Sequence, residues 1–342
     1  MSIVPRSAEV KIGWNSVAVA ISLLIIAVAF VALFRLLQDI DVDKVIRALQ
    51  AVSMRTVLVA SVFVAAGYLT LTLSDFYALR AIGRHDVPYR TAALASFTSY
   101  AIGHNVGLTV FTGGAIRFRI YSAWGLGVLD VAKIAFVTGL TFWLGNAFVL
   151  GLGVAYVPEA ASAINHLPAW INRTIALAGL AATVGYIVWL RPGPRVIGRD
   201  DWQITLPNAP LTLVQIGIGV MDLGCGALAM FTLLPQQPAI DFVTALVTFV
   251  VATLLGFLSH APGSLGVLEA ALLTGFPQFA KEELLASMLI FRLLYFVLPF
   301  MFALIVLGIR ELYLCAKARI APHVCGCESA HSPACEGKSA AV

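Results

Sequence analysis

Residues 99–121, SYAIGHNVGLTVFTGGAIRFRIY, and residues 259–273, SHAPGSLGVLEAALL, decide how this chain is read. They are the two places where strongly apolar sequence meets clustered glycine, proline and charge. A bilayer offers no water to free backbone groups, so a broken segment at membrane depth survives only packed inside protein or lining a wet cavity. Interrupted segments of this kind in the two halves of a transporter mark where substrate is held. Each stretch follows an apolar run, breaks at paired glycines (Gly103 and Gly107; Gly263 and Gly266) and leads toward another apolar run, the outline of a degenerate internal repeat.

The rest of the chain reads as scaffold. Of 342 residues, 60% are hydrophobic and 12% charged, and the mean hydropathy is +0.92. A water-soluble domain carries about twice that share of charge, so the expected fold class is all-α, a polytopic transmembrane helical bundle. About 20 mainly apolar residues make a span. Seven can be drawn, near residues 14–37, 56–79, 128–157, 171–190, 211–234, 239–258 and 284–309, with one or two re-entrant or broken helices beside them. The expected organisation is a basic lead (1–13), one membrane domain (14–314) and a flexible tail (315–342). Residues 14–37 are too long for the core of a cleavable signal and read as the first span. Residues 39–51 place Val42, Ile46 and Leu49 opposite Asp43, Lys44 and Arg47, an amphipathic helix lying in the interface.

Positive charge collects on cytoplasmic loops. Loops at residues 80–90 and 191–199 are both arginine-rich, so an even number of crossings separates them, and residues 128–157 and 171–190 already supply two. Residues 92–111 are therefore a re-entrant hairpin or part of an extra pair, and their glycines favour the hairpin. Arg310, Lys317 and Arg319 argue for a cytoplasmic end, which requires residues 261–279 to carry the chain back across. Lys44 and Arg47 then fall on the outer side.

Several residues are candidates for contact with a substrate. Gly113 and Gly114 precede Arg117 and Tyr121, which lie four apart on one helical face while Arg119 points elsewhere. A guanidinium and a hydroxyl beside a glycine-freed helix start suit a phosphate, and the plainer reading of Arg117 is an anchor to lipid headgroups. Ser264 and its neighbours lead into the helix bearing Glu269, a candidate seat for a cationic group. The plainer reading pairs Glu269 with Arg292. Asp75 and Asp222 lie within spans, where intramembrane charge is functional by default, or they tie helices together. His104 and His260 fall at the two breaks, as proton relays or as hydrogen-bonded structural residues.

Other function classes find little support. Neither GxxxxGK[ST] nor a strand-to-helix GxGxxG occurs, and HExxH and GxSxG are absent. No cofactor is expected. Cys325 and Cys327 are separated by one glycine, too close for the usual metal-ligand spacing, so no metal site is expected in a tail read as lying in a reducing compartment. The net charge of +4 gives no reason to invoke nucleic acid.

TGGAIRFRIYSAWGL at residues 112–126, Asp222 in its apolar helix, LLGFLSHAPGSLGVLEAALL at residues 254–273, and Arg292 before Leu293, Leu294 and Tyr295 together resemble the membrane region of lysylphosphatidylglycerol synthase/flippase proteins, the multiple peptide resistance factor family. The likeness covers residues 14–314. It implies translocation of an aminoacylated phosphatidylglycerol or a related anionic phospholipid across a bacterial inner membrane. It also implies that Arg117 is the first arginine of a GGAxRxRxY motif and Glu269 the acidic residue of a PGxLGVxE turn. Ser264 stands where the family often has a second glycine. A tail of about 30 residues is too short for a folded catalytic domain, so the resemblance does not imply synthase activity here. The alternatives are an intramembrane enzyme acting on lipid headgroups, with His104 or His260 as base, and a scaffold for a separately encoded lipid aminoacyltransferase. The expected partners are a phospholipid and the membrane, with a homo-oligomer or that aminoacyltransferase.

Overall fold

The computed structural model describes residues 41–320 except 108, 194 and 198–203. The basic lead, the first expected span and most of the cysteine-bearing tail lie outside these residues. Helix α1 (Val42–Ala51) is capped by Asp41, whose carboxylate accepts from the Asp43 and Lys44 amides. It packs on α11, with Val42 and Ile46 exposed. Helix α2 (Met54–Ala81) begins at the Ser53 cap and, at 28 residues, is about 42 Å long. Then come α3 (Tyr89–Val106), α4 (Thr109–Tyr121), α5 (Val128–Tyr156), the short α6 (Pro158–Asn165) and α7 (Ala169–Trp189). A two-residue antiparallel bridge, β1 (Val196–Ile197) to β2 (Ile204–Thr205), precedes α8 (Ala209–Leu233) and α9 (Phe242–Ser259). After a turn at Pro262–Ser264 come α10 (Val267–Gly275), α11 (Lys281–Arg292), a π-helical turn at Leu293–Val297 and α12 (Leu298–Ile320). The helix thus continues past residue 315, where the tail was expected to begin.

Six helical segments among the described residues are long and apolar enough to cross a bilayer: α2, α5, α7, α8, α9 and the continuous run Lys281–Tyr313. The protein is an all-α, multi-pass membrane bundle. Its centre is the contact of α2 with α8 and of α8 with α5. The α5–α8 crossing is as close as backbones allow: a Cβ added to Gly145 would lie 2.7 Å from Gly219 Cα. Small residues at such a crossing let dispersion do the work that hydrophobic burial cannot do in lipid.

Two helical hairpins complete the bundle. In the first, α3 and α4 run antiparallel, the Ser99 hydroxyl donating to the Gly113 carbonyl at 3.0 Å and Thr109 to Gly103 at 3.2 Å. Both its arms end beside the arginine-rich 80–90 loop, where Arg84 donates to the Trp124 carbonyl. Arg119 reaches Glu311 of α12 at 2.6 Å, so the far part of α12 lies at this end too. In the second hairpin α10 folds back along α9: Ser264 lies against Gly256, and Gly275 against Thr248. Its base is at the opposite end, where Ser287 of α11 donates to the Leu233 carbonyl. Residues 92–111 thus turn back rather than cross, and residues 261–279 return the chain to the end from which α9 set out.

Candidate functional site

The hairpins enter from opposite ends and meet tip to tip. Gly107, at φ +82° and ψ 179°, is in a region open essentially to glycine alone. A Cβ there would lie 3.2 Å from the His260 carbonyl oxygen and 3.4 Å from Pro262 Cα. The second tip holds His260, Gly263, Ser264 and Gly266 at φ +54°, +59°, +52° and +79°. Ser264 therefore adopts the left-handed conformation that a glycine would, and the turn closes without one. Left-handed non-glycine residues concentrate where the surroundings over-determine them.

Each returning arm is fastened by an arginine. Arg117 of α4 makes a two-pronged ion pair with Asp75 of α2, Nε to Oδ2 and Nη2 to Oδ1, both 2.8 Å, and Tyr121 donates its hydroxyl to the same carboxylate at 2.9 Å. Asp75 is wholly buried and Arg117 is 5% exposed, with the Tyr100 ring 5.1 Å from the guanidinium carbon. Gly113 makes room for this head group: a Cβ there would lie 3.3 Å from Arg117 Nη1, whereas Gly114 faces open space. In the second hairpin Glu269 accepts from the Gly266 amide at 2.9 Å, capping α10, and pairs with Arg292. Arg292 also donates to the carbonyls of Gly263 (2.8 Å) and Ser264 (3.3 Å). The π-helical turn that follows has carbonyls free of the usual ladder: Phe296 receives Asn105 from the first tip, and Tyr295 receives the Tyr68 hydroxyl.

Between the tips and the α2–α8–α5 centre lies a cavity of about 170 Å³. Its polar lining comes from Ser74, Tyr100, His104, Thr109, Thr138, Thr141, Asp222, Thr253, His260, Ser264 and Tyr295. Asp222 Oδ1 is buried without a hydrogen-bond partner, and no salt bridge to Asp222 occurs among the described residues. Val110 and Phe111 belong both to the cavity wall and to the outer surface, at 63% and 75% exposure, so the cavity opens sideways past them.

Of the residues singled out from sequence, the structure brings Asp222 and Ser264 to this cavity, together with His104 and His260. Asp75, Arg117 and Tyr121 form one cluster behind Tyr100, and Glu269 and Arg292 another behind the second tip. Arg117 and Glu269 do not face each other across a substrate: each closes on a partner of its own. Sequence reading gave no role to Ser74, Tyr100, Thr109, Thr138, Thr141, Thr253 or Tyr295. They are single hydroxyls on apolar helices, with nothing in their spacing to set them apart.

The chain is 29% identical over 248 residues to an uncharacterized protein of Synechocystis sp., covering 72% of this chain and 76% of that one. It is 28% identical over 274 residues to the inner membrane protein YbhN of Escherichia coli, covering 78% and 82%. To a phosphatidylglycerol lysyltransferase of Staphylococcus aureus it is 20% identical over 284 residues, covering 80% of this chain. The likeness to the synthase/flippase membrane region holds. It takes in 32% of the length of the Staphylococcus aureus protein. No family model matches the chain.

Proposed function

We propose that this protein is a lipid translocase that carries the headgroup of an aminoacylated phosphatidylglycerol, or of a related phospholipid with an anionic phosphate, through the cavity between the hairpin tips while the acyl chains stay in lipid. The observation that carries this reading is a carboxylate, Asp222, whose buried Oδ1 has no hydrogen-bond partner, in a cavity that opens sideways where two hairpins from opposite ends meet. A volume of about 170 Å³ admits the charged end of a headgroup and excludes its chains. Two broken segments meeting at depth also support the reading, as helix interruptions at a repeat interface suit alternating access. We take the hairpins as halves of a degenerate inverted repeat.

In this scheme Asp222 receives the ammonium group, a role that sequence alone assigned first to Glu269. Ser264 and the lining hydroxyls meet the polar remainder. Asp75, Arg117 and Tyr121, with Gly113 and Gly114 giving clearance, brace the first hairpin, and Glu269 with Arg292 braces the second. The likeness to an Escherichia coli inner membrane protein supports placement in a bacterial inner membrane. The charge rule puts the end bearing Arg80, Arg84, Arg90, Arg119 and Arg191 on the cytoplasmic side.

The test is movement of fluorescent lysylphosphatidylglycerol between leaflets of proteoliposomes. Wild-type protein should accelerate it, and Asp222→Asn should slow it about tenfold or more, the equivalent of about 1.4 kcal/mol. Wild-type rates no faster than protein-free vesicles would overturn the reading.

A further inference from the structure

An unpaired carboxylate at membrane depth raises a question that headgroup binding alone leaves open: what balances Asp222 when no lipid is there? Among the described residues, the two cationic side chains nearby are committed, Arg117 to Asp75 and Arg292 to Glu269. The ionisable groups that face Asp222 from the neighbouring elements carry, among the described residues, no further fixed positive charge. Tyr68 lies on α2, Tyr100 and His104 on α3 with the Asp75–Arg117 pair behind Tyr100, Tyr295 on the π-helical turn and Cys225 on its own helix. His260 comes from the second tip, and α5 contributes hydroxyls rather than ionisable groups to this wall. A bare carboxylate so placed costs several kcal/mol unless it is compensated.

We propose that Asp222 is the seat of a coupling proton, exchanged one for one against the cationic end of the transported lipid; the proposal rests on the translocase reading above. A hard metal cation wants a cage of about six oxygens. This cavity instead offers a single carboxylate, its other oxygens being hydroxyls scattered over separate elements, with an imidazole from each hairpin, His104 and His260, suited to passing protons. When the ammonium group pairs with Asp222, the proton leaves to water through the cavity. When the lipid departs, a proton returns. The site is neutral in both states, and only these neutral states rearrange, because moving the bare carboxylate carries the uncompensated cost. A proton gradient directed toward the basic end thus drives lipid the other way.

The experiment adds short-chain lysylphosphatidylglycerol to the purified full chain in weakly buffered detergent. It measures binding by calorimetry and proton release by an indicator dye and by calorimetry in buffers of different ionisation heat. Wild type should release about one proton per lipid bound, the balance for a single carboxylate, and Asp222→Glu should keep the release. Asp222→Asn, checked for folding by its elution and melting profile, should release none. Binding to wild type without release overturns the proton seat and leaves the translocase reading standing, as does undiminished release from folded Asp222→Asn. If binding without release weakens in sodium chloride but not in choline chloride, the exchanged ion is sodium and the proposal fails. Absence of any binding overturns both readings.

Discussion

The two hairpins are each closed by an arginine–carboxylate pair, but the pairs do different work. Asp75–Arg117 joins two separate helices, side chain to side chain, in a site with almost no exposure. Glu269–Arg292 stitches a turn: Glu269 also caps its own helix, and two of the Arg292 bonds go to backbone carbonyls of the tip. The first pair is a bolt between helices, and the second sets the shape of a loop. Removing one partner from a buried pair leaves a bare charge and costs about 3–5 kcal/mol, whereas removing both together costs much less. Asp75→Leu and Arg117→Leu alone should each destabilise the bundle by about that much, and the double variant should recover a large part of the loss. Chemical unfolding in detergent measures this cycle. Additive effects would mean that the two groups act independently.

The tips differ in how their backbones are strained, and substitutions there should act in opposite directions. Gly107→Ala puts a side chain into an essentially glycine-only conformation and against the His260 carbonyl. The expected loss is about 1–3 kcal/mol. Ser264 already sits at φ +52°, so Ser264→Gly relieves a left-handed residue at the expense of a more flexible unfolded chain. The net gain is about 0.5 kcal/mol. A shift of the same sign for both variants would show that contacts of the Ser264 side chain with Gly256, rather than backbone conformation, govern the second tip.

The membrane bundle was legible because spanning length and apolar composition are properties of contiguous residues. The first hairpin was legible for another reason: two arginine-rich loops that must share a side leave no room for an odd crossing between them. What pairs with what was harder to read. Asp75 and Arg117 are 42 positions apart on different helices, and nothing local in either neighbourhood names the other. Glu269 and Arg292 were weighed as partners only because both were conspicuous among apolar residues. The cavity was least legible, since its polar lining is one or two residues from each of six helices, the second tip and the π-helical turn. Asp222 stood out in sequence as a lone aspartate, but whether it was tied or free depended on arginines already committed elsewhere.

The smallest effect concerns the bases of the hairpins, where charge meets water. Arg84 holds Asp86 by two hydrogen bonds of 2.9 Å beside the first hairpin, and these hold the Asp86 carboxyl below its ordinary range. At the second, Asp241 caps α9; partial burial raises its carboxyl, but the Thr244 hydroxyl and the Thr244 and Val243 amides outweigh that and hold it low. A carboxyl lowered by folding stabilises fully above its unfolded value, about 3.9, and the contribution is lost as pH falls through the folded value. Amide protection factors in residues 84–91 and 241–245, with the intrinsic pH dependence of exchange divided out, should therefore be flat from neutral pH down to about pH 4 and fall only below it. Salt should weaken the Arg84–Asp86 contact, an exposed ion pair, and leave the Asp241 cap nearly unchanged, because its partners are dipoles rather than a charge. Equal salt sensitivity at the two bases would mean that Asp241 is held by charge rather than by its cap, and the contrast between the hairpins would then be confined to their ion pairs and tips.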